Sequence, residues 1–291
     1  MILVTGAAGK TGRAAVRALA GRGAAVRALV YRPAQVRPLQ ELGARQVVVG
    51  DMRSRVTVQE AVQGVQAVYH ICPNMSPDEA DIGRLVIGAA RAAGVGHLVY
   101  HSVLHPQTEA MSHHWQKLRV EEHLFESGLA YTILQPAAYM QNVLAGWDSI
   151  LEQGIYRVPY PVQTRLGMVD MEDVACAAAL ALTQVGHTAA IYELAGPEAL
   201  TQVEVAAILS QVLGRPVRAE TTPLDVWEQR ARASGLGDYQ VETLVKMFDY
   251  YERYGLWGNP NVLSWLLGRP PTTFTACVER IAHEKGLRAR V

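Results

Sequence analysis

Residues 5–12 read Thr5-Gly6-Ala7-Ala8-Gly9-Lys10-Thr11-Gly12. The octet follows the apolar run Ile2–Val4 directly and opens the amphipathic stretch Gly12–Ala20. Its glycines are spaced three apart. At the first position glycine permits a tight turn, at the second it lets a pyrophosphate reach the backbone, and at the third it lets helix and strand pack closely. The N-terminus of the helix that follows presents backbone N–H groups and a partial positive charge, the combination that binds phosphate. An ordinary glycine-rich turn would share this composition. The position directly after an N-terminal strand and within a βαβ unit is what favours the nucleotide reading.

Beyond the loop, Ala25–Val30, Gln46–Val49, Ala67–Ile71, His97–Tyr100 and Tyr131–Leu134 are short apolar runs rich in Val, Ile, Leu and Tyr. Between them lie helical patterns such as Asp81–Ala93 and Trp115–Ser127. This alternation predicts right-handed βαβ units and a doubly wound parallel α/β sheet of Rossmann type, its strands buried on both faces. After about residue 150 the pattern loosens at Gly154, Pro159, Pro161 and Gly167, then resumes as a helix over Glu172–Leu182 and a strand over Ala190–Leu194. Thr201-Gln-Val-Glu204 is a capping box opening a helix to Leu213, with mostly helical sequence beyond. The expected organisation is a nucleotide-binding domain over 1–153, to which segments within 168–195 return, and a smaller, mostly helical lobe over 154–291.

The second apolar run ends in Val30-Tyr31-Arg32. NAD-binding versions of the motif carry a carboxylate about 20 residues on, which holds the ribose 2′-hydroxyl. A guanidinium in that place suits a 2′-phosphate, and Lys10 supplies a second charge. The expected cofactor is therefore NADP(H).

The chain has 291 residues, with 27 basic and 27 acidic side chains. Zero net charge argues against nucleic-acid binding, which relies on a positive excess. Cys72, Cys176 and Cys277 are far apart and odd in number, which suits reduced thiols in a cytoplasm and gives neither a disulfide framework nor a zinc site. No run approaches the roughly 18 apolar residues of a membrane span. His101 and His105 have the spacing of helical metal ligands, but Pro106 follows and no HExxH or Cys partner is present, so no metal is expected.

The sequence resembles the NmrA-like branch of the atypical short-chain dehydrogenases over nearly its whole length, in particular the bacterial NADPH quinone oxidoreductases of that branch. The resemblance is carried by the glycine loop, Arg32 and Gly50-Asp51-Met52, and by the stretches 113–122, 134–142, 169–175 and 267–272. It implies that Gly6, Gly9 and Gly12, with Ala8, Lys10 and Thr11, hold the pyrophosphate and that Arg32 holds the 2′-phosphate. By the same resemblance Asp51 and Met52 flank the adenine, Pro73 lines the cofactor path, Lys117 binds the ribose, and Pro136 lies near the nicotinamide. Ser102 stands at the usual catalytic hydroxyl, where a strand-end cap is an equal reading.

The catalytic Tyr-xxx-Lys pair is incomplete, because the residue four before Lys117 is His113. Without a phenol, alcohol–ketone exchange would leave an alkoxide unprotonated. A quinone acceptor escapes this limit, since a hydroquinone monoanion has a pKa near 10, close to that of a Tyr phenol. Water or an imidazole then completes the protonation. His113 is the first candidate donor and Tyr139 the second. Tyr139, Trp147, Tyr156 and Tyr160 could stack on a flat substrate, with core packing equally open for each. Asp170 and Asp173, at a helix start, are read as cap and dipole partners. Two functions stay open: an NADPH-dependent reductase of quinones or similar conjugated carbonyls, and a non-catalytic NADP(H) sensor acting on a partner protein.

Overall fold

The computed structural model describes residues 1–286. The last five residues of the expected C-terminal lobe, 287–291, lie outside the described residues. In chain order the elements are β1 (Ile2–Val4), α1 (Lys10–Gly21), β2 (Val26–Val30), α2 (Val36–Glu41), β3 (Ala44–Val49), α3 (Arg55–Val62), β4 (Ala67–His70), α4 (Glu79–Ala92), β5 (His97–His101), α5 (Ser112–Glu126) and β6 (Tyr131–Pro136). They continue as β7 (Ala138–Tyr139), α6 (Trp147–Gln153), β8 (Ile155–Val158), β9 (Arg165–Val169), α7 (Met171–Thr183), β10 (Ala190–Leu194), β11 (Ala199–Thr201) and α8 (Gln202–Leu213). The chain closes with β12 (Arg218–Thr221), α9 (Leu224–Ala233), α10 (Asp238–Tyr254), α11 (Asn261–Leu267) and α12 (Phe274–Glu284). Two compact units result: 1–136 with 171–193, and 137–170 with the chain from 194 onward.

The first unit holds a seven-stranded sheet in the order β10-β6-β5-β4-β1-β2-β3. From β3 across to β6 every neighbouring pair is parallel. The order reverses beside β1, so the ends of β1 and β4 form the switch point at which open α/β sheets bind ligands. Both faces of β1, β4, β5 and β6 are covered, which explains their apolar runs. Leu3, Val68, Leu98 and Ile133 from the strands join Val58, Ile82, Val86, Val120 and Leu124 from α3, α4 and α5 in one buried cluster. On α7, Ala175, Ala178 and Ala179 are buried, and the small side chains let this helix lie close to α1.

The second unit has a three-stranded sheet, β11-β9-β7, and a parallel pair, β8 with β12, among its helices. The capping box at α8 is formed: Glu204 N donates to Thr201 Oγ1 at 3.2 Å and Thr201 N to Glu204 Oε2 at 2.7 Å. No helix among the described residues is long and apolar enough to cross a membrane.

Candidate cofactor and active site

The glycine loop leaves the end of β1, where Thr5 N donates to Tyr69 O at 3.0 Å. Gly6 adopts φ +57°, and a Cβ there would lie 2.6 Å from the carbonyl oxygen of Ile71. A Cβ at Gly12 would lie 2.4 Å from Gly6 O and 2.6 Å from Ala7 Cα. The chain's own packing therefore demands glycine at both positions. Gly9 is different. Its φ is −70°, and an added Cβ would meet nothing closer than Gly6 O at 3.4 Å, an ordinary contact. Nothing in the protein excludes a side chain at Gly9; a pyrophosphate laid against the backbone would. Gly9 is also the N-cap of α1, supplies no side-chain cap, and is followed by a first turn without acidic residues. The positive end of the helix dipole thus meets no carboxylate in its own first turn.

Around this cradle, Lys10 and Arg32 are exposed and have no ion-pair partner among the described residues. Other arginines of the unit are engaged: Arg27 donates to Ala61 O at 2.8 Å and Gln63 O at 2.6 Å, and Arg53 pairs with Asp78 at 2.6 Å. Asp51 and Met52 follow β3, where Asp51 Oδ1 accepts from Arg53 N at 2.9 Å and Met52 is buried. Pro73 is exposed after β4. These groups fit a phosphorylated dinucleotide: a backbone cradle open to an anion, and free cations beyond it.

Along the same edge, the ends of β4, β5 and β6 carry a buried polar cluster. Lys117, one turn after His113 on α5, donates to Glu79 Oε1 at 2.9 Å and to His101 O at 3.3 Å. Tyr100 OH donates to the same Glu79 oxygen at 2.9 Å. Ser102 donates its hydroxyl hydrogen to Glu121 Oε1, and Gln135 Nε2 donates to both Glu121 oxygens at 3.0 and 3.2 Å. Burial raises the Glu121 carboxyl, while Ser102, Gln135 and the Lys117 ammonium oppose that shift. Thr5 Oγ1 lies 3.0 Å from both Ile71 O and His70 Nδ1, and the buried His70 Nε2 has no hydrogen-bond partner among the described residues.

His113 sits in the first turn of α5, its ring 4.5 Å from that of His114 and nearly perpendicular to it. Burial, with His114 and Lys117 adding to it, pushes His113 down to about 3. At neutral pH it is therefore an uncharged imidazole, able to donate one N–H but not to act as an imidazolium acid. Its Nδ1 is buried without a partner.

The candidate residues of the first unit, from Gly6 to Pro136, thus lie at or near the carboxyl ends of strands in one sheet. Tyr139 belongs to the second unit, on β7, in register with Val169. Trp147, Tyr156 and Tyr160 are buried there, Tyr156 donating to Gln202 at 2.9 Å. Glu79, Glu121 and Gln135 belong to this polar cluster and are not among the candidates drawn from the sequence. One signal existed for Glu121, which lies between the apolar Val120 and Leu124 on a helix face that had to be buried.

The model of the NmrA-like family matches residues 1–278. The chain belongs to the NmrA-like family. Among its relatives is the NAD(P)H azoreductase of Xenophilus azovorans, 32% identical, covering 94% of this chain and 95% of that protein. Another is quinone oxidoreductase 2 of Escherichia coli, 30% identical over 97% of this chain and 98% of that protein. The solved structure of the NADPH-dependent quinone oxidoreductase from Escherichia coli, complexed with NADPH, superposes with a TM-score of 0.84 at 29% identity, covering 97% of this chain and 99% of that one.

Proposed function

We propose that the protein is an NADPH-dependent reductase of quinones or similar conjugated acceptors, working on small molecules in a reducing, cytoplasmic setting. The observation that carries this reading is the combination at the switch point: a cradle left open at Gly9, with the unpaired Arg32 guanidinium at the end of β2. Relatives matched over nearly their full length, whose names include an NAD(P)H azoreductase and a quinone oxidoreductase, support the acceptor class.

In this reading the loop from Gly6 to Gly12 receives the pyrophosphate, Arg32 the 2′-phosphate, and Asp51 with Met52 the adenine. Pro73 lines the path, Lys117 binds the ribose next to the nicotinamide, and Pro136 supplies backbone beside the ring. When bound, the dihydronicotinamide supplies a hydride. The chain then needs no strong acid, because the hydroquinone monoanion, with a pKa near 10, takes its proton from water. His113 donates a hydrogen bond from a neutral ring. Ser102, with its hydrogen on Glu121, acts as an acceptor, and Tyr139 is the second unit's candidate contact.

The test is NADPH and NADH oxidation with a panel of quinones and an azo dye, on wild type and Arg32→Ala. Turnover is expected on at least one quinone. Arg32→Ala should raise the KM for NADPH about ten-fold or more, the worth of a charge-assisted pair, and leave that for NADH unchanged. Tight NADPH binding with no turnover on any acceptor would overturn the enzyme reading in favour of a sensor.

A further inference from the structure

Glu79 opens α4 yet is only 2% exposed, an expensive place for a carboxylate. One of its oxygens, Oε1, accepts both from Lys117 Nζ and from Tyr100 OH, each at 2.9 Å. The Lys117 ammonium has three N–H groups. One goes to Glu79 and a second to the carbonyl of His101 at 3.3 Å, while the nitrogen lies 5.6 Å from the centroid of the Tyr100 ring. Two donors and one face of the ammonium are thus fixed by atoms from α4 and β5. One donor remains, and the side chain keeps 16% of its exposure. A lysine on a flexible four-carbon stem is otherwise free to wander through many rotamers.

We infer that Glu79 is a positioning residue: held by Tyr100, it orients Lys117 so that its remaining N–H meets a ribose hydroxyl of the nicotinamide half of the cofactor. The inference rests on the proposed role of Lys117. A purely structural ion pair would make the same two hydrogen bonds, and ligand selectivity separates the two cases. Glu79 acts through Lys117 only on the nicotinamide half, whereas damage to the fold weakens every part of the cofactor site.

The experiment measures dissociation constants for NADPH and for adenosine 2′,5′-bisphosphate, which carries the adenine half alone. Wild type, Glu79→Gln, Lys117→Gln and the double variant are compared. Glu79→Gln should weaken NADPH about ten-fold, as loss of a charged hydrogen-bond partner does, and leave the bisphosphate within about two-fold. The double variant should bind NADPH no more weakly than Lys117→Gln, because the two residues act as one unit. Equal weakening of both ligands by Glu79→Gln, no weakening of either, or additive losses in the double variant would overturn the inference. If Glu79→Gln does not fold, Tyr100→Phe takes its place in the same cycle, and additivity with Lys117→Gln overturns the inference there too. Should Lys117→Gln itself leave NADPH binding intact, the proposed ribose role fails first, and the inference with it.

Discussion

Three glycines in one loop look alike in the sequence and are not alike in the structure. Gly12 is a packing residue, since a methyl group there would sit 2.4 Å from Gly6 O. Gly9 has room for that methyl within the protein's own packing. Gly12→Ala should therefore lower the melting temperature by several degrees, the backbone having to shift by more than a relaxed core tolerates. Gly9→Ala should change stability by no more than about 1 kcal/mol, the usual penalty for a poor N-cap, while weakening NADPH at least about ten-fold by holding the pyrophosphate off the backbone. Paired thermal melts and NADPH titrations check both. Equal effects of the two substitutions on binding and on melting would show that Gly9 is no phosphate contact. The candidates that the sequence offers are those whose meaning is local, such as the loop, Arg32 at a strand end, and Lys117 four after His113. Glu79 was not legible, and Glu121 only through its place on an apolar helix face, because an acidic residue on a helix ordinarily faces water or the dipole. Tyr100, Ser102, Lys117 and Gln135, brought together by the fold, help make their burial tolerable.

At the scale of elements, the alternation of the first unit was readable because strands covered on both faces must be apolar throughout. The segment 138–169 was not. Gly167 reads as a breaker, yet it lies inside β9, where a Cβ would come 3.0 Å from Trp257 Cα. A glycine placed for close approach by a residue 90 positions away carries no local signature. Asp170 carries a second role that its place before a helix does not announce: the structure buries it completely and pairs it with Arg280 of α12 at 2.8 Å, with Gln141 donating to it at 2.6 Å. Arg280→Met would remove the cation and leave the carboxylate buried. The expected loss is about 2 kcal/mol, below the usual value for a broken buried pair, because Gln141 still donates and Arg280 is partly exposed. Denaturant titration checks it, and wild-type stability in the variant would show that the pair does not hold α12 in place.

For the whole molecule, a net charge of zero conceals an uneven arrangement. Arginine outnumbers lysine 23 to 4, and of the two lysines in the first unit, Lys10 has no ion-pair partner among the described residues beside the glycine loop, while Lys117 is held among buried side chains. That partly buried ammonium lies near four histidines. His70, His101 and His113 are each pushed down to about 3, and His114 to about 4, in every case chiefly by burial, with Lys117 adding repulsion. The sign of the consequence is fixed. Above the unfolded value of about 6.5 neither state holds the protons, so these groups give no pH dependence there. Below it the unfolded chain takes up protons that the folded chain refuses, and stability falls as the pH drops toward 4. Each histidine contributes a slope of up to about 1.4 kcal/mol per pH unit. Four together should lower the melting temperature of the cofactor-free protein by about 8 °C between pH 7 and pH 5.5, given about 1.6 °C per kcal/mol at this size. A melting temperature that stays level from pH 7.5 to 5 would mean that the histidines protonate inside the fold. They would then bring positive charge up against Lys117, and the edge assigned to the cofactor would be far wetter than its burial indicates.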